Sequence, residues 1–439
     1  MTEPVWSGRL AADRFGISVR DTGGVVHARE LVGVGLRRNP RRAHLLVSTV
    51  LGKHVPARPR AIIAAGDALG VLVRDALGGS AALIIGFAET ATGLGHLVAA
   101  TCRVPYLHTT RRRTEIPAVL ELQETHSHAS RHLLAPADAR LLAHGDVAVI
   151  VDDELSTGHT AMNLIAALHD VRPRNRYLVA ALVDARPVAA RRELSRLARR
   201  IGARVDVVSV ARATVRVPHG LAARSSMLAG EPQPGGATPA VHPRTVRGWP
   251  GTVRASGRHG FTPADDDEAR AAAADCADDL LRAGLGSRLL VLGTEELMYA
   301  PLLIAAALAD RREPEAGVRV SATTRSPAVV VDAAGYPLRT GLAFASHDEP
   351  LDGPGIRFAY NITGGATVDA PTDIVVVVDA DTPALHQSGG LLAALAELDR
   401  AVHLVVLPTH ADAVVGGSTA TSTESASMSP PARPVAAAS

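Results

Sequence analysis

The stretch VAVIVDDELSTGHTAMNLI, residues 147–165, constrains the fold of this chain more than any other. Residues 147–151 are all apolar, which predicts a buried strand. Two carboxylates follow, and a short run of small polar residues leads into a segment with the apolar spacing of a helix. The stretch therefore predicts strand, loop and helix in succession, the arrangement from which α/β sheets are built.

The loop of this unit suits a sugar phosphate. Asp152 and Asp153 can accept hydrogen bonds from neighbouring ribose hydroxyls, or hold them through Mg²⁺, which prefers a few carboxylates and substrate oxygens. Residues 156–160 provide hydroxyls and backbone N–H groups at a helix start, where the helix dipole favours a phosphate. The plain alternative is a helix capped by Ser or Thr, but a cap does not require the preceding acidic pair.

Two carboxylates followed by S-T-G-x-T after an apolar strand resemble the motif with which type I phosphoribosyltransferases bind 5-phosphoribosyl 1-pyrophosphate (PRPP). The resemblance implies a Rossmann-like α/β domain in which Asp152 and Asp153 face the ribose and bind Mg²⁺. It also implies that the 5′-phosphate is bound by Ser156, Thr157, Gly158, His159 and Thr160. Glu154 and Ser156 depart from the family pattern, which usually has an apolar residue and often an acid at these positions.

A second loop, GFAETATG at residues 86–93, begins 66 residues before Asp152. In type I phosphoribosyltransferases a pyrophosphate-binding loop lies about this far upstream. By that resemblance the pyrophosphate would be bound by Glu89, Thr90, Ala91, Thr92 and Arg111. A glutamate beside pyrophosphate requires a cation such as Mg²⁺ between them.

Residues 108–132 occupy the position of the family's flexible hood, which closes over the reacting atoms. On position alone, the resemblance makes Glu124, His126 and His128 the candidates for proton transfer there. His126, His128 and His132 are alternatively spaced as a metal set, although no fourth ligand is evident. Asp184, at the end of a strand predicted at 177–183, is a candidate for the nucleophile side, with turn formation as the plain alternative.

Composition limits the remaining classes. The 439 residues predict at least two domains, and 47% hydrophobic residues with a net charge of +2 give no reason to expect nucleic acid as a partner. The two cysteines indicate neither a disulfide framework nor a zinc site. Without an apolar leader or a spanning segment, we expect a cytoplasmic protein that does not bind membranes. Lys53 is the single lysine, which weakly suggests a place for a compact ammonium group.

The basic segment around Lys53 has two interpretations. Its cations flank the apolar run 45–51, and they either bind an anionic substrate or form a solvated loop. They are Arg37, Arg38, Arg41, Arg42, Lys53 and His54.

Composition also divides the chain. We predict a phosphoribosyltransferase-like domain at 1–215, a Pro- and Gly-rich linker at 216–260, a second α/β domain at 261–411 and a disordered tail at 412–439. Three segments of the second domain match segments of the first in the same order, with Asp379 aligned on Asp152. Either the second domain is a degenerate repeat that has lost S-T-G-x-T, or the match is the alternation common to α/β units.

Thr324-Arg325-Ser326-Pro327 adds a second resemblance. It is similar to the TRSP motif of a domain found C-terminal to phosphoribosyltransferase domains in bacterial gene clusters associated with tellurium resistance. GTEE at 293–296 and RFAYN at 357–361 also resemble segments of that family. The resemblance does not specify a substrate. The resemblance implies a second-domain site made of Arg325, Ser326, Arg357 and Asn361.

Together these features predict an enzyme that transfers the ribose 5-phosphate of PRPP to a base-like nucleophile and releases pyrophosphate, or runs the reverse reaction. Its expected cofactor is Mg²⁺, its partners are PRPP and a small nucleophile, and a homodimer is possible. The alternative is a non-catalytic regulator that senses PRPP or a nucleotide, because fold alone does not decide function.

Overall fold

The computed structural model describes residues 9–408, apart from 38, 40–42, 124–130, 222–231, 233–242, 247, 313–316, 349, 352 and 364–369. Two α/β units follow one another along these residues. We call residues 9–221 the first unit and residues 243–408 the second unit. The tail predicted at 412–439 lies outside the described residues.

The described residues of the first unit form ten strands and six α-helices. The strands are β1 Ser18–Gly24, β2 Val32–Leu36, β3 His44–Ser48, β4 Ala82–Gly86, β5 Tyr106–His108, β6 Leu120–Gln123, β7 Arg131–Leu134, β8 Val147–Leu155, β9 Arg176–Asp184 and β10 Arg204–Arg216. The helices are α1 Arg9–Phe15, α2 Ala28–Leu31, α3 Pro59–Leu77, α4 Ala91–Cys102, α5 His159–Val171 and α6 Val188–Ile201, with a 3₁₀ turn at Ala139–Ala143.

Six of these strands form one sheet in the order β1-β10-β9-β8-β4-β5. All neighbours are parallel except β1, which pairs antiparallel with β10. Strand β4, residues 147–151 of β8 and residues 177–184 of β9 are buried because helices cover both faces of the sheet. The predicted strand at 147–151 is confirmed and continues through the acidic pair to Leu155. Helix α3 begins at Pro59 and ends at Leu77, followed by Gly78, whose φ of 59° is the left-handed cap conformation.

The second unit repeats this architecture on a smaller scale. Its strands are β11 Arg244–Val246, β12 Leu289–Gly293, β13 Val318–Ala322, β14 Gly341–Ala345, β15 Ile356–Tyr360, β16 Asp373–Val378 and β17 Ala401–Val406. Its helices are α7 Pro263–Arg282, α8 Tyr299–Asp310, α9 Pro383–His386 and α10 Leu391–Ala396. The sheet order is β11-β17-β16-β12-β13, with all neighbours parallel. β11 lies inside the predicted linker, where three residues among prolines and glycines gave no strand signal.

The strand order β9-β8-β4-β5 of the first unit recurs as β17-β16-β12-β13 in the second. An antiparallel hairpin follows the edge strand in each unit, β6–β7 in the first and β14–β15 in the second. Strand pairing corrects the sequence match by one residue. Gly86 pairs with Val151 and Gly293 with Val377, so Asp379 corresponds to Asp153 rather than Asp152.

The units exchange short segments at their sheet edges. Ala57, from the first unit, forms two backbone hydrogen bonds of 3.0 and 2.8 Å with Val320 in β13. Phe261, from the second unit, forms the corresponding bonds of 2.8 and 2.9 Å with Tyr106 in β5. Each unit thus covers the outer edge strand of the other. No described helix combines the length and apolar character needed to cross a bilayer.

Close packing of α3 on α4 depends on glycine at position 66. A Cβ at Gly66 would lie 2.5 Å from both Cβ and Cδ1 of Leu97. We therefore expect Gly66→Ala to lower the free energy of unfolding by about 1–3 kcal/mol, the usual cost of overpacking a core. Urea unfolding of this variant beside Gly251→Ala, where an added Cβ has no neighbour within 4 Å, gives the comparison. Equal stability of the two variants would contradict this account of the helix pair.

Candidate active site

A cavity of about 900 Å³ opens where β4, β8 and β9 end in the first unit. Ligands of open α/β sheets bind at this carboxyl edge of the strands. Its lining includes six arginine or lysine side chains against four carboxylates, a balance that favours an anionic ligand. The cations are Arg37, Lys53, Arg111, Arg186, Arg325 and Arg357, and the carboxylates are Glu89, Asp152, Asp153 and Glu154.

The acidic pair and the loop after it line this cavity together. Asp152 and Asp153 are half-buried near the end of β8, and α5 starts at His159 after Gly158, whose φ is 78°. A Cβ at Gly158 would lie 3.2 Å from Cδ of Arg186. The predicted phosphate residues in the lining are Ser156, Thr157, Gly158, His159 and Thr160. The structure therefore places the whole predicted loop around one volume, with a helix N-terminus facing it.

The donor chemistry of the acidic pair fits Mg²⁺. Two adjacent carboxylates in an open cavity leave the other coordination positions to ligand oxygens and water, as Mg²⁺ prefers. In the described part of the chain, no three or more His, Cys, Asp or Glu side chains are grouped to hold a metal. The alternative histidine metal set includes His126 and His128, which lie outside the described residues.

Arg186 lines the cavity and was not predicted from the sequence. Asp184, the candidate for the nucleophile side, is buried and accepts hydrogen bonds from Nε and Nη2 of Arg186 at 2.8 and 2.9 Å. Burial alone would raise the pKa of Asp184, but the hydrogen bonds and charge of Arg186 outweigh it and lower that pKa. Asp184 thus positions the guanidinium of Arg186 beside Gly158. The position of Arg186 two residues beyond the end of a parallel strand was the sequence signal that could have identified it, because ligands bind at the carboxyl ends of such strands.

Only part of the predicted pyrophosphate loop lines the cavity. Glu89 and Thr90 do, whereas Ala91 and Thr92 are buried in the first turn of α4. The backbone N–H groups of Ala91 and Thr92 already donate to the carbonyls of Phe87 and Glu89. The Ala88–Glu89 peptide bond is cis.

Glu89 lies between two cations. Its carboxylate is 3.4 Å from Nζ of Lys53 and 2.8 Å from Nε of Arg325, and Lys53 also donates to Oγ1 of Thr90 at 2.6 Å. Burial would raise the pKa of Glu89, but Lys53 and then Arg325 lower it to about 2. The single lysine and an arginine of the second unit are therefore held side by side at one wall of the cavity.

His54 adds a neutral donor or acceptor to the same wall. Burial, followed by the charge of Lys53, lowers the pKa of His54 to about 3, so its imidazole is uncharged at neutral pH. Its Nε2 has no hydrogen-bond partner among the described residues. Asn361, predicted as a site residue, does not line the cavity but donates from Nδ2 to the His54 carbonyl at 2.9 Å.

The predicted hood, residues 108–132, is described except at 124–130, and it includes the hairpin β6–β7. Glu124, His126 and His128 lie outside the described residues. His132 is buried, with Nδ1 2.9 Å from Oγ1 of Thr109 and Nε2 2.8 Å from Nη2 of Arg111. The hairpin base thus orients Arg111, which lines the cavity.

The second unit completes the cavity. Three of its four predicted site residues, Arg325, Ser326 and Arg357, belong to the lining. Glu295 connects the two arginines, 3.2 Å from Nη2 of Arg325 and 2.6 Å from Nε of Arg357. Residues 353–356, at the base of the β14–β15 hairpin, also line the cavity and were not predicted. Arg38, Arg41 and Arg42 of the basic segment lie outside the described residues, while Arg37 reaches the lining.

Open parallel α/β sheets bind ligands at the carboxyl edge of their strands, and at this edge the chain has an acidic pair and a small-residue helix start suited to a phosphate. Residues 31–214 match the family described as phosphoribosyl transferase, and residues 255–395 match the TRSP domain that lies C-terminal to it. The chain is a member of this phosphoribosyl transferase family with a TRSP domain, which confirms the resemblance.

Solved structures similar to this chain include adenine phosphoribosyltransferases from Rhodothermus marinus (16% identity, 41% of this chain and 94% of that chain, TM-score 0.29) and Giardia lamblia (17%, 44% and 98%, TM-score 0.29). Orotate phosphoribosyltransferase from Aeropyrum pernix is also similar (23% identity, 42% and 89%, TM-score 0.27). No curated protein matches the chain.

Replacing Asp184 tests whether it holds Arg186. We expect Asp184→Asn to lower the free energy of unfolding by about 3 kcal/mol at pH 7, because it leaves a buried guanidinium without its carboxylate. The folded pKa of Asp184 is lowered, so its stabilising contribution is present above the unfolded pKa of about 3.9 and is lost as pH falls through the folded value. Urea unfolding at pH 7 and pH 3 should show the difference from wild type shrinking in acid.

The matched control is Asp310→Asn, which breaks an exposed ion pair with Arg60 and should change stability little. If Asp184→Asn cost no more than this control at pH 7, the assigned role of Asp184 would be wrong.

Proposed function

We propose that this protein transfers the ribose 5-phosphate of PRPP to a base-like nitrogen nucleophile and releases pyrophosphate. The observation that carries the proposal is the single cavity into which the acidic pair, the 156–160 loop and the cations Lys53, Arg111 and Arg325 all open. Its volume is at the upper end of the range for small-molecule sites, which allows room for two substrates. Family membership supports the same reaction class.

In this proposal the substrate lies across the cavity from the phosphate loop to the lysine wall. The hydroxyls of Ser156, Thr157 and Thr160 and the N–H groups at the start of α5 bind the 5′-phosphate, with Arg186 beside them. Asp152 and Asp153 accept hydrogen bonds from the ribose hydroxyls. Mg²⁺ bound at this pair would neutralise charge on the substrate oxygens.

The cations opposite act on the leaving group. As the nucleophile nitrogen bonds to the anomeric carbon, the bond from that carbon to the pyrophosphate oxygen breaks and pyrophosphate leaves with the electron pair. Lys53, Arg111 and Arg325 stabilise this growing negative charge, while the acidic pair stabilises positive charge on the ribose. The nucleophile then loses a proton. We keep Glu124, His126 and His128, by their position in the hood, as candidates to accept it.

Glu89 acts indirectly in this mechanism. Because it lies between Lys53 and Arg325, it fixes both cations where the pyrophosphate would bind, in addition to the role through Mg²⁺ expected from the sequence. Arg357 and Ser326 extend the wall toward the nucleophile. Cytoplasmic location, a possible homodimer and a role in tellurite or other stress remain parts of the proposal that rest on the family resemblance.

Calorimetric titration with PRPP and Mg²⁺ tests the proposal. We expect wild type to bind and Asp152→Asn/Asp153→Asn to bind roughly 10- to 100-fold more weakly, since hydrogen bonds to charged groups are worth about 1.5–3 kcal/mol. Asp170→Asn/Asp275→Asn, which neutralises two exposed carboxylates, is the matched control and should bind as wild type does. A folded wild-type protein that binds no PRPP would refute the proposal.

Catalysis is then separated from sensing by measuring pyrophosphate release with a panel of nitrogen bases. Release that depends on one base identifies the nucleophile. Binding without release for any base would favour the regulatory alternative.

A further inference from the structure

The two units contact each other through reciprocal carboxylates. Glu89 of the first unit accepts hydrogen bonds from Oγ1 of Thr324 at 3.0 Å and from the N–H of Arg325 at 3.4 Å. Glu296, at the corresponding position after β12, accepts from Oγ1 of Thr110 at 2.7 Å and the N–H of Arg111 at 2.6 Å. Each unit therefore binds the Thr-Arg dipeptide that follows the edge strand of the other.

Each glutamate also contacts a cation of its own unit. Lys53 lies 3.4 Å from Glu89, and Arg258 lies 3.3 Å from Glu296. The exchanged segments at Ala57 and Phe261 are a second matched pair. The chain thus has the internal symmetry of a dimer whose two subunits have been joined.

This symmetry makes Arg112 the counterpart of Ser326. Each residue follows a Thr-Arg dipeptide, and each donates its backbone N–H to the threonine hydroxyl of that dipeptide at 3.1 Å. Their side chains differ in what they do. Ser326 lines the cavity of the first unit and leaves it open.

Arg112 fills the equivalent place in the second unit. Its Nη1 lies 2.7 and 2.6 Å from the two carboxylate oxygens of Asp379, the counterpart of Asp153, and its Nε lies 3.2 Å from Asp348. Arg258 also reaches Asp379, at 3.1 Å. The carboxylate at the end of β16 is thus fully occupied by protein cations, and the loop after it has become the four-residue helix α9.

We propose that the second unit is an inactive partner fused to the first in the same chain. It supplies Arg325 and Ser326 to the open site of the first unit, while Arg112 closes the equivalent site of the second unit. Ser326 is thus the residue that keeps the site of the first unit open. The inference rests on the proposed function for the identity of the ligand, but its geometry depends only on contacts within the chain. It assigns one ligand site to each chain.

Replacing Ser326 by arginine places in the open site of the first unit the side chain that closes the equivalent site of the second unit. In Ser326→Arg the guanidinium can pair with Asp153, as Arg112 pairs with its counterpart Asp379. We therefore expect this variant to lose measurable binding of PRPP and Mg²⁺ by calorimetry, whereas wild type binds one PRPP per chain. Ser195→Arg, which adds the same charge on the exposed face of α6, should bind as wild type does.

A measurement without ligand separates this inference from the proposed function. Relieving repulsion between the two carboxylates should make Ser326→Arg melt at a higher temperature than wild type, and this gain should disappear in the Asp153→Asn background. If wild type bound no PRPP but this coupling were present, the proposed function would fail and the closed-partner geometry would stand. Undiminished PRPP binding by Ser326→Arg, or a melting temperature unaffected by Asp153, would overturn the inference.

Discussion

The buried glutamates Glu89 and Glu296 are the interactions on which both the contact between the units and the cavity depend. Removing a carboxylate from water costs several kcal/mol, and this cost is offset only where cations and hydrogen-bond donors surround it closely. Each unit supplies one cation to its own glutamate, Lys53 to Glu89 and Arg258 to Glu296. Further donors come from the Thr-Arg dipeptide of the other unit, so contact between the units completes the set of partners around both glutamates.

The same pairing produces the chemistry of the cavity. A guanidinium recruited to neutralise Glu89 is also a guanidinium placed at the cavity wall, as Arg325 is. Arg325 is in turn connected through Glu295 to Arg357, so one chain of alternating charges extends along the wall. Cations held in this way need little reorganisation when an anion binds, which is the condition for strong electrostatic stabilisation of a leaving group.

The sequence was sufficient for the elements formed by local pattern and for the loop that a contiguous motif encodes. The strand at 147–151 follows from its apolar run, and Asp152, Asp153 and residues 156–160 line one cavity, as their closeness in the chain predicted. The partners of Glu89 could not be predicted. Lys53 and Arg325 are 36 residues before it and 236 after it, and no local pattern states which distant charges meet.

The register between strands and the exposure of the loop residues also could not be predicted from a match between sequence segments. Asp379 aligned with Asp152 by letters, yet pairing between β12 and β16 makes it the counterpart of Asp153. Ala91 and Thr92 belong to the motif but are buried in the first turn of α4, where their N–H groups donate to backbone carbonyls. Such outcomes depend on hydrogen-bond geometry between elements, which residue type alone does not encode.

The exchanged edge segments have a consequence for biosynthesis. An uncovered edge strand is a template for pairing with other chains. The edge of β5 is covered by Phe261 and that of β13 by Ala57, so the first unit emerges from the ribosome before the segment that protects it has been made. Until translation passes residue 261, the nascent first unit lacks the segment that pairs with this sheet edge, and the shortness of β5, three residues, is its remaining protection against pairing with other chains.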